Sequence, residues 1–188
     1  MIFTGSEKRD LLEMAVRAIS EKVDPMWRVS AGATEMTPAL ESRCGAFVSL
    51  YVDRELRGCI GTFSEEEPLY RNVERMAVSS ATSDTRFPPI QQDELSRLQV
   101  EISVLTPRQR IHDPSEIEIG KHGIYMKQGA NRGTFLPQVA VSQDWTVQEF
   151  LGNCARYKAG IGWNGWKTAE LYTYEAIVFS SDDSAKKS

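Results

Sequence analysis

Six consecutive residues, Leu56-Arg57-Gly58-Cys59-Ile60-Gly61, place a guanidinium and a thiol two positions apart. On a strand, alternate side chains share a face. Arg57, Cys59 and Gly61 would then point one way and Leu56, Gly58 and Ile60 the other. A neighbouring cation favours the thiolate, the nucleophilic form of cysteine. Cys59 is thereby a candidate nucleophile or redox-sensing thiol. Arg57 would activate it or anchor an anionic group. Gly58 and Gly61 would let a second backbone or a ligand approach closely. The competing reading is structural. Free cysteine is among the most buried residue types and packs as a small hydrophobe, and Arg57 would then pair with a carboxylate. Leu56 and Ile60 read as core in either case.

Other groups could join such a site. His122, in Gly120-Lys121-His122-Gly123, is one of two histidines with His112. Beside Cys59 it would complete a thiol–imidazole pair; otherwise it is a turn histidine bonded to backbone. Asp84 and Arg86 precede Pro88-Pro89, which stiffen the segment and push Phe87 toward extended geometry. They would hold a charged pair at a binding site, or close the loop as a salt bridge. Glu101 is an acid–base candidate or a partner for Arg57 or Arg86. Gln138, after Leu136-Pro137, would bind a polar group or cap a strand. The string Gly160-Ile161-Gly162-Trp163-Asn164-Gly165 matches a dinucleotide fingerprint in letters only, because it follows a helix where the real one follows a strand. It reads as a glycine-rich loop, with Trp163 and Trp166 as core or rim packing or as pocket lining. No zinc-protease motif and no serine-hydrolase elbow is present.

The elements that must position these groups follow from periodicity. Thr4 with Glu7 is a capping box, and Leu11, Leu12, Ala15, Ile19 and Val23 recur at helical spacing over about residues 6–24. Residues 28–43 read as a loop. Residues 45–53 read as a strand buried on both faces, turning at Asp53-Arg54 into the strand of the hexapeptide. Glu65, Glu66, Glu67 and Pro68 open a helix striped by Leu69, Val73, Met76, Ala77, Ser80 and Ala81. Residues 98–105 alternate as a half-exposed strand with Glu101 on the polar side, and shorter strands cover 123–128 and 133–136. Thr146 and Glu149 cap a helix over 146–158, with Trp145 and Phe150 as its staple. Leu171–Ser180 is a strand, and the polar tail 181–188 is expected to be disordered. Hairpins without regular strand–helix alternation imply an α+β fold with mainly antiparallel sheet and packed helices.

Length and composition agree with one domain, or two small interleaved ones, over about residues 5–180. A net charge of −4 lacks the basic footprint of a nucleic-acid binder, and no Lys/Arg run marks a local groove. The N-terminus lacks a signal-peptide pattern, and no apolar run is long enough to span a bilayer, so the cytoplasm is the expected location. Cys44, Cys59 and Cys154 are scattered and odd in number, which speaks for free thiols and against a structural zinc site.

The sequence resembles the AMMECR family, also found as protein A of the AmmeMemoRadiSam system, from about residue 8 to about residue 180. The hexapeptide Leu56–Gly61 is that family's hallmark. Further blocks match at Gly45–Val48, Asp84–Pro89, Glu101–Pro107, Gly120–Gly123 and Phe135–Val139. The resemblance implies an α+β fold in which two unequal subdomains frame a cleft near the hexapeptide. It implies a basic cellular role and supplies no settled reaction.

Two functional readings follow. One is an enzyme using Cys59, with His122 or Glu101 moving protons and Arg57, Gly58, Gly61, Asp84, Arg86 and Gln138 shaping or binding. The other is a regulatory or binding module that holds a peptide, protein or small ligand at the same place. A third reading makes the hexapeptide purely structural. The cofactor and the ligand are unidentified, and a homodimer is compatible with the chain.

Overall fold

The computed structural model describes residues 2–26 and 35–181. The expected loop at 28–34 and tail at 182–188 lie outside those residues. Contacts divide the chain into two compact units: residues up to Leu105 together with those from Ile177 onward, and Thr106–Ala176 between them.

In unit 1, helix α1 (Gly5–Val23) starts at the expected capping box, in which Thr4 and Glu7 bond reciprocally. Strands β1 (Ala46–Val52), β2 (Glu55–Thr62) and β3 (Leu98–Leu105) lie antiparallel in the order β2-β1-β3. Helix α2 (Leu69–Thr82) follows β2, with Pro68 at its N-cap and the three glutamates ahead of its first turn. Both helices contribute to one core with one sheet face. Leu11, Ala15 and Ile19 from α1, Leu69, Val73 and Ala77 from α2, and Val48, Leu50 and Ile102 from the strands are fully buried. Burying each large aliphatic side chain contributes about 1.5–3 kcal/mol.

β1 is buried on one face only. Ala46, Val48, Leu50 and Val52 point inward, whereas Phe47, Ser49 and Tyr51 are half-buried. The expectation of burial on both faces is corrected here: the helices cover one side, and two aromatic rings on the other side gave the run its apolar look. Asp53 and Arg54 turn the hairpin with φ of 52° and 70°, the left-handed pair that a two-residue hairpin loop needs.

In unit 2, β5 (His122–Gln128) lies between β6 (Asn131–Phe135) and the first part of β7 (Glu170–Ser180), whose residues from Ile177 onward belong to unit 1, and β4 (Gln109–Ile111) pairs with β7. α3 (Pro137–Ser142) and α4 (Val147–Asn153) follow β6. The chain leaves α4 through a wider turn over Cys154–Lys158, so the expected helix over 146–158 is two conformations in series. Phe150 and Leu151 are fully buried with Ile124 and Met126, and Phe150 stacks on Phe135 at 5.9 Å. Trp163 packs over Gly152, so the Gly160–Gly165 loop is a packing element. No helix among the described residues is long and apolar enough to cross a membrane.

Candidate thiol site on the outer face of unit 1

A bulge decides what the hexapeptide presents. Leu50 faces Gly58 across the hairpin, but Tyr51 faces Leu56, so Arg57 has no residue opposite it. An extra residue re-aims its own side chain and breaks strict alternation. Two expectations change as a result. Leu56 pairs with the outward-facing Tyr51 and is 38% exposed, so it is not core. Arg57 does not serve the thiol. It grips Glu94 with Nε to Oε1 at 2.8 Å and Nη2 to Oε2 at 3.0 Å, and Nη1 donates to the carbonyl of Pro88 at 3.1 Å. This is the fork geometry that suits arginine to carboxylates. The guanidinium holds the Glu94 carboxyl below its ordinary range.

The cation at Cys59 is Arg86. β2 is the end strand of the unit 1 order, so the outward N–H and C=O of Cys59 have no strand partner. The Asp84 carboxylate accepts from the Cys59 N–H at 2.9 Å, and Arg86 Nη2 donates to the Cys59 carbonyl at 3.0 Å. Asp84 and Arg86 are themselves bonded, Nη2 to Oδ2 at 2.7 Å and Nε to Oδ1 at 2.9 Å. Two side chains thus imitate an adjacent strand and close a bare edge. The Arg86 guanidinium drives the Asp84 carboxyl far below the carboxylate range, although burial opposes this. Asp84 raises the Arg86 pKa, and Cys59 adds to that in a smaller measure.

From beneath, α2 locks the same residues. A Cβ at Gly58 would run into the backbone carbonyl of Ser80, so only glycine admits the helix there. The Ser80 hydroxyl accepts from Ile60 N–H at 2.8 Å and donates to the Val48 carbonyl at 2.8 Å, bridging facing residues of β2 and β1. Gly61 is covered by the ring of Phe47, which meets Phe63 edge-on at 5.1 Å. Ile60 is partly buried against the core.

On the outer face, Ser49 stands directly between Cys59 and Glu101 in the strand register. Its hydroxyl donates to Cys59 Sγ at 3.3 Å. Facing residues on antiparallel strands place their Cβ atoms about 4.5–5.5 Å apart. Tyr51 borders the row: burial raises its pKa first, then the charge of Glu101, and Cys59 adds to this. The chemically equipped row is therefore Cys59, Ser49 and Glu101. Ser49, Tyr51 and Glu94 were not singled out in the sequence. The one available signal was a lone serine, Ser49, in a strand otherwise built of apolar and aromatic residues.

Unit 2 holds the remaining candidates. His122 Nδ1 accepts from the Glu118 N–H at 3.1 Å, and its Nε2 lies 4.0 Å from Glu175. Gln138 is exposed in the first turn of α3, so it is a helix residue and caps no strand. The three thiols are unpaired, with Cys44 and Cys154 fully buried and Cys59 half-buried. Burial pushes the Cys154 thiol up to about 12 and raises Cys44. Among the described residues no group of three or more His, Cys, Asp or Glu side chains could hold a metal ion.

Comparison with known proteins agrees over most of the chain. A protein of Methanosarcina mazei is 35% identical over 192 residues, covering 97% of this chain and 95% of its own. One of Methanopyrus kandleri is 41% identical over 158 residues, covering 78% and 76%. The crystal structure of an uncharacterized protein from Pyrococcus horikoshii matches with a TM-score of 0.74 at 33% identity, covering 90% of this chain and 89% of that one. The AMMECR1 family profile matches residues 12–179, and the chain belongs to the AMMECR1 family.

Proposed function

We propose that the outer sheet face of unit 1 is a thiol-dependent enzymatic site with Cys59 as the nucleophile. The observation that supports this reading is the Cys59–Ser49–Glu101 row, with Ser49 Oγ 3.3 Å from the sulfur. A thiolate at Cys59 would accept from the Ser49 hydroxyl, as the sulfur does here. Glu101, which faces Ser49 across the register, would be the general base that takes up the thiol proton, while Ser49 keeps donating to the sulfur. Glu101 takes this role in preference to His122 because it shares unit 1 and faces Ser49. Gly58, Asp84 and Arg86 hold the Cys59 peptide fixed while the sulfur reacts.

Iodoacetamide labelling of the folded protein tests this. Cys59 should react at neutral pH while Cys44 and Cys154 stay unlabelled until unfolding, and Ser49→Ala should slow the reaction. A folded protein whose Cys59 resists labelling, or labels equally fast without Ser49, ends the nucleophile reading.

One observation favours a second reading, a purely structural hexapeptide. The polar atoms of Arg57, Asp84 and Arg86 are already engaged in holding the fold. That reading expects Cys59→Ser to leave function in cells intact.

A further inference from the structure

The net charge of −4 is not evenly spread, and one face of unit 2 is basic. Four residues distant in sequence meet there. Arg110 on β4 faces Tyr172 on β7, Tyr172 faces Tyr125 on β5, and Tyr125 faces Thr134 on β6. One row therefore crosses four strands. In the next row Lys127 lies between Glu170 and Arg132. The opposite face carries Ile111, Ile124, Met126 and Leu171, all buried, so these rows point away from the unit 2 core.

The rows combine cations with aromatic rings. The Arg108 guanidinium sits 4.6 Å over the Tyr125 ring, and Tyr125 meets Tyr172 edge-on at 5.8 Å. Arg110 and Arg108 lie close enough to Tyr172 to oppose the upward pull of Glu170 on its hydroxyl. Glu170 is the carboxylate of these rows, and it is occupied in accepting from the Tyr172 hydroxyl at 2.9 Å. Arg110 and Arg132 are exposed, and Lys127, Tyr125 and Tyr172 are half-exposed.

We propose that this face binds single-stranded nucleic acid, with Arg110, Lys127 and Arg132 on phosphates and Tyr125 and Tyr172 against bases. Charge complementarity selects a polyanion, because Arg110, Lys127 and Arg132 stand against the one carboxylate of these rows. The rings narrow that choice. A base offers a flat π-face to tyrosine whatever its identity, and unpaired strands leave that face free. A duplex hides its bases and would use the cations alone. The proposal uses no residue of the Cys59 site, so either reading can fail without the other.

Fluorescence anisotropy on the full chain, with labelled oligothymidylate and oligouridylate of about 12 nucleotides, reads this directly. Single strands lose affinity with log salt at about 0.7 per phosphate contact, so three contacts predict a slope of about −2.1. Lys127→Ala and Arg132→Ala should each reduce the slope by about 0.7. The triple variant Arg110→Glu, Lys127→Glu, Arg132→Glu, all at solvent-accessible positions, should abolish binding. Tyr125→Leu should weaken it about tenfold with the slope unchanged. Four results overturn the proposal: no binding at about 50 mM salt, binding that survives the triple variant, a duplex that binds as tightly, or heparin that competes while Tyr125→Leu and Tyr172→Leu change nothing. The last result would make the face a general polyanion surface.

Discussion

Arg57 and Glu94 are joined by two parallel hydrogen bonds, at 2.8 and 3.0 Å, across 37 residues of chain. Their side chains are 17% and 14% exposed, so the pair is largely shielded from solvent. Lysine cannot reproduce the fork, because its ammonium is a point charge on a flexible stem. Arg57→Lys should therefore lower stability by about 1–2 kcal/mol, and a cycle with Glu94→Gln should show coupling of about 0.5–3 kcal/mol. Urea unfolding of the four proteins measures it. Additive effects would mean the pair contributes nothing as a pair.

Acid should act through Glu94 and Asp84. Asp84 and Glu94 are both held below their ordinary range, by Arg86 and Arg57 respectively. A depressed folded pKa contributes stability that is fully present above the unfolded value of about 4 and is lost as pH falls through the folded value. Wild-type stability should therefore decline between about pH 5 and pH 2, and the variant Asp84→Asn, Glu94→Gln should decline less steeply there. Urea midpoints across that range decide it. Equal slopes would show that neither carboxylate is linked to folding.

Two glycines of the hexapeptide should respond unequally. A methyl at Gly58 meets the Ser80 backbone carbonyl, which moves only if the end of α2 moves. A methyl at Gly61 meets the Phe47 ring, a side chain on the outer face that can rotate away. Gly58→Ala should cost about 3 kcal/mol or more and Gly61→Ala about 1 kcal/mol. Thermal and urea unfolding of both variants test the ranking, and the reverse order would contradict the packing described.

Local patterns in the sequence foretold local structure. The stripe from Leu69 to Ala81 is the buried face of α2, and the run from Leu98 to Val104 is β3 with Glu101 on its outer side, but the strand is not half-exposed as expected, because Ser103 on the polar side is buried as well. The Thr4–Glu7 and Thr146–Glu149 boxes cap the helices they were assigned to. Alternation failed at Arg57, because a bulge is a property of the strand pair and not of one strand. The ligands of the Cys59 peptide were equally invisible as ligands. Asp84 and Arg86 were visible as a charged pair, but their target lies 25 and 27 residues away. Ser49 and Glu101 flank one another only through the β1–β3 register, and Arg110, Lys127 and Arg132 gather only through three strand pairings. Such long-range pairings leave no periodic trace in one sequence.

Ser80 is the remaining test of how the thiol is held. It is 2% exposed, and its hydroxyl serves the Ile60 N–H and the Val48 carbonyl together. Ser80→Ala removes both bonds and leaves two backbone groups in a site that water does not reach. An unsatisfied buried group costs about 1–3 kcal/mol, so a loss of that order is expected. The same change loosens β2 one residue from Cys59, so hydrogen exchange at the Ile60 amide should speed up and Cys59 labelling should change with it. If the strands instead close on one another, Ile60 N–H bonds Val48 directly, stability falls by less than about 0.5 kcal/mol, and exchange stays slow. That outcome would show that the serine bridge is dispensable. The support of Cys59 would then rest on the Asp84–Arg86 clamp alone.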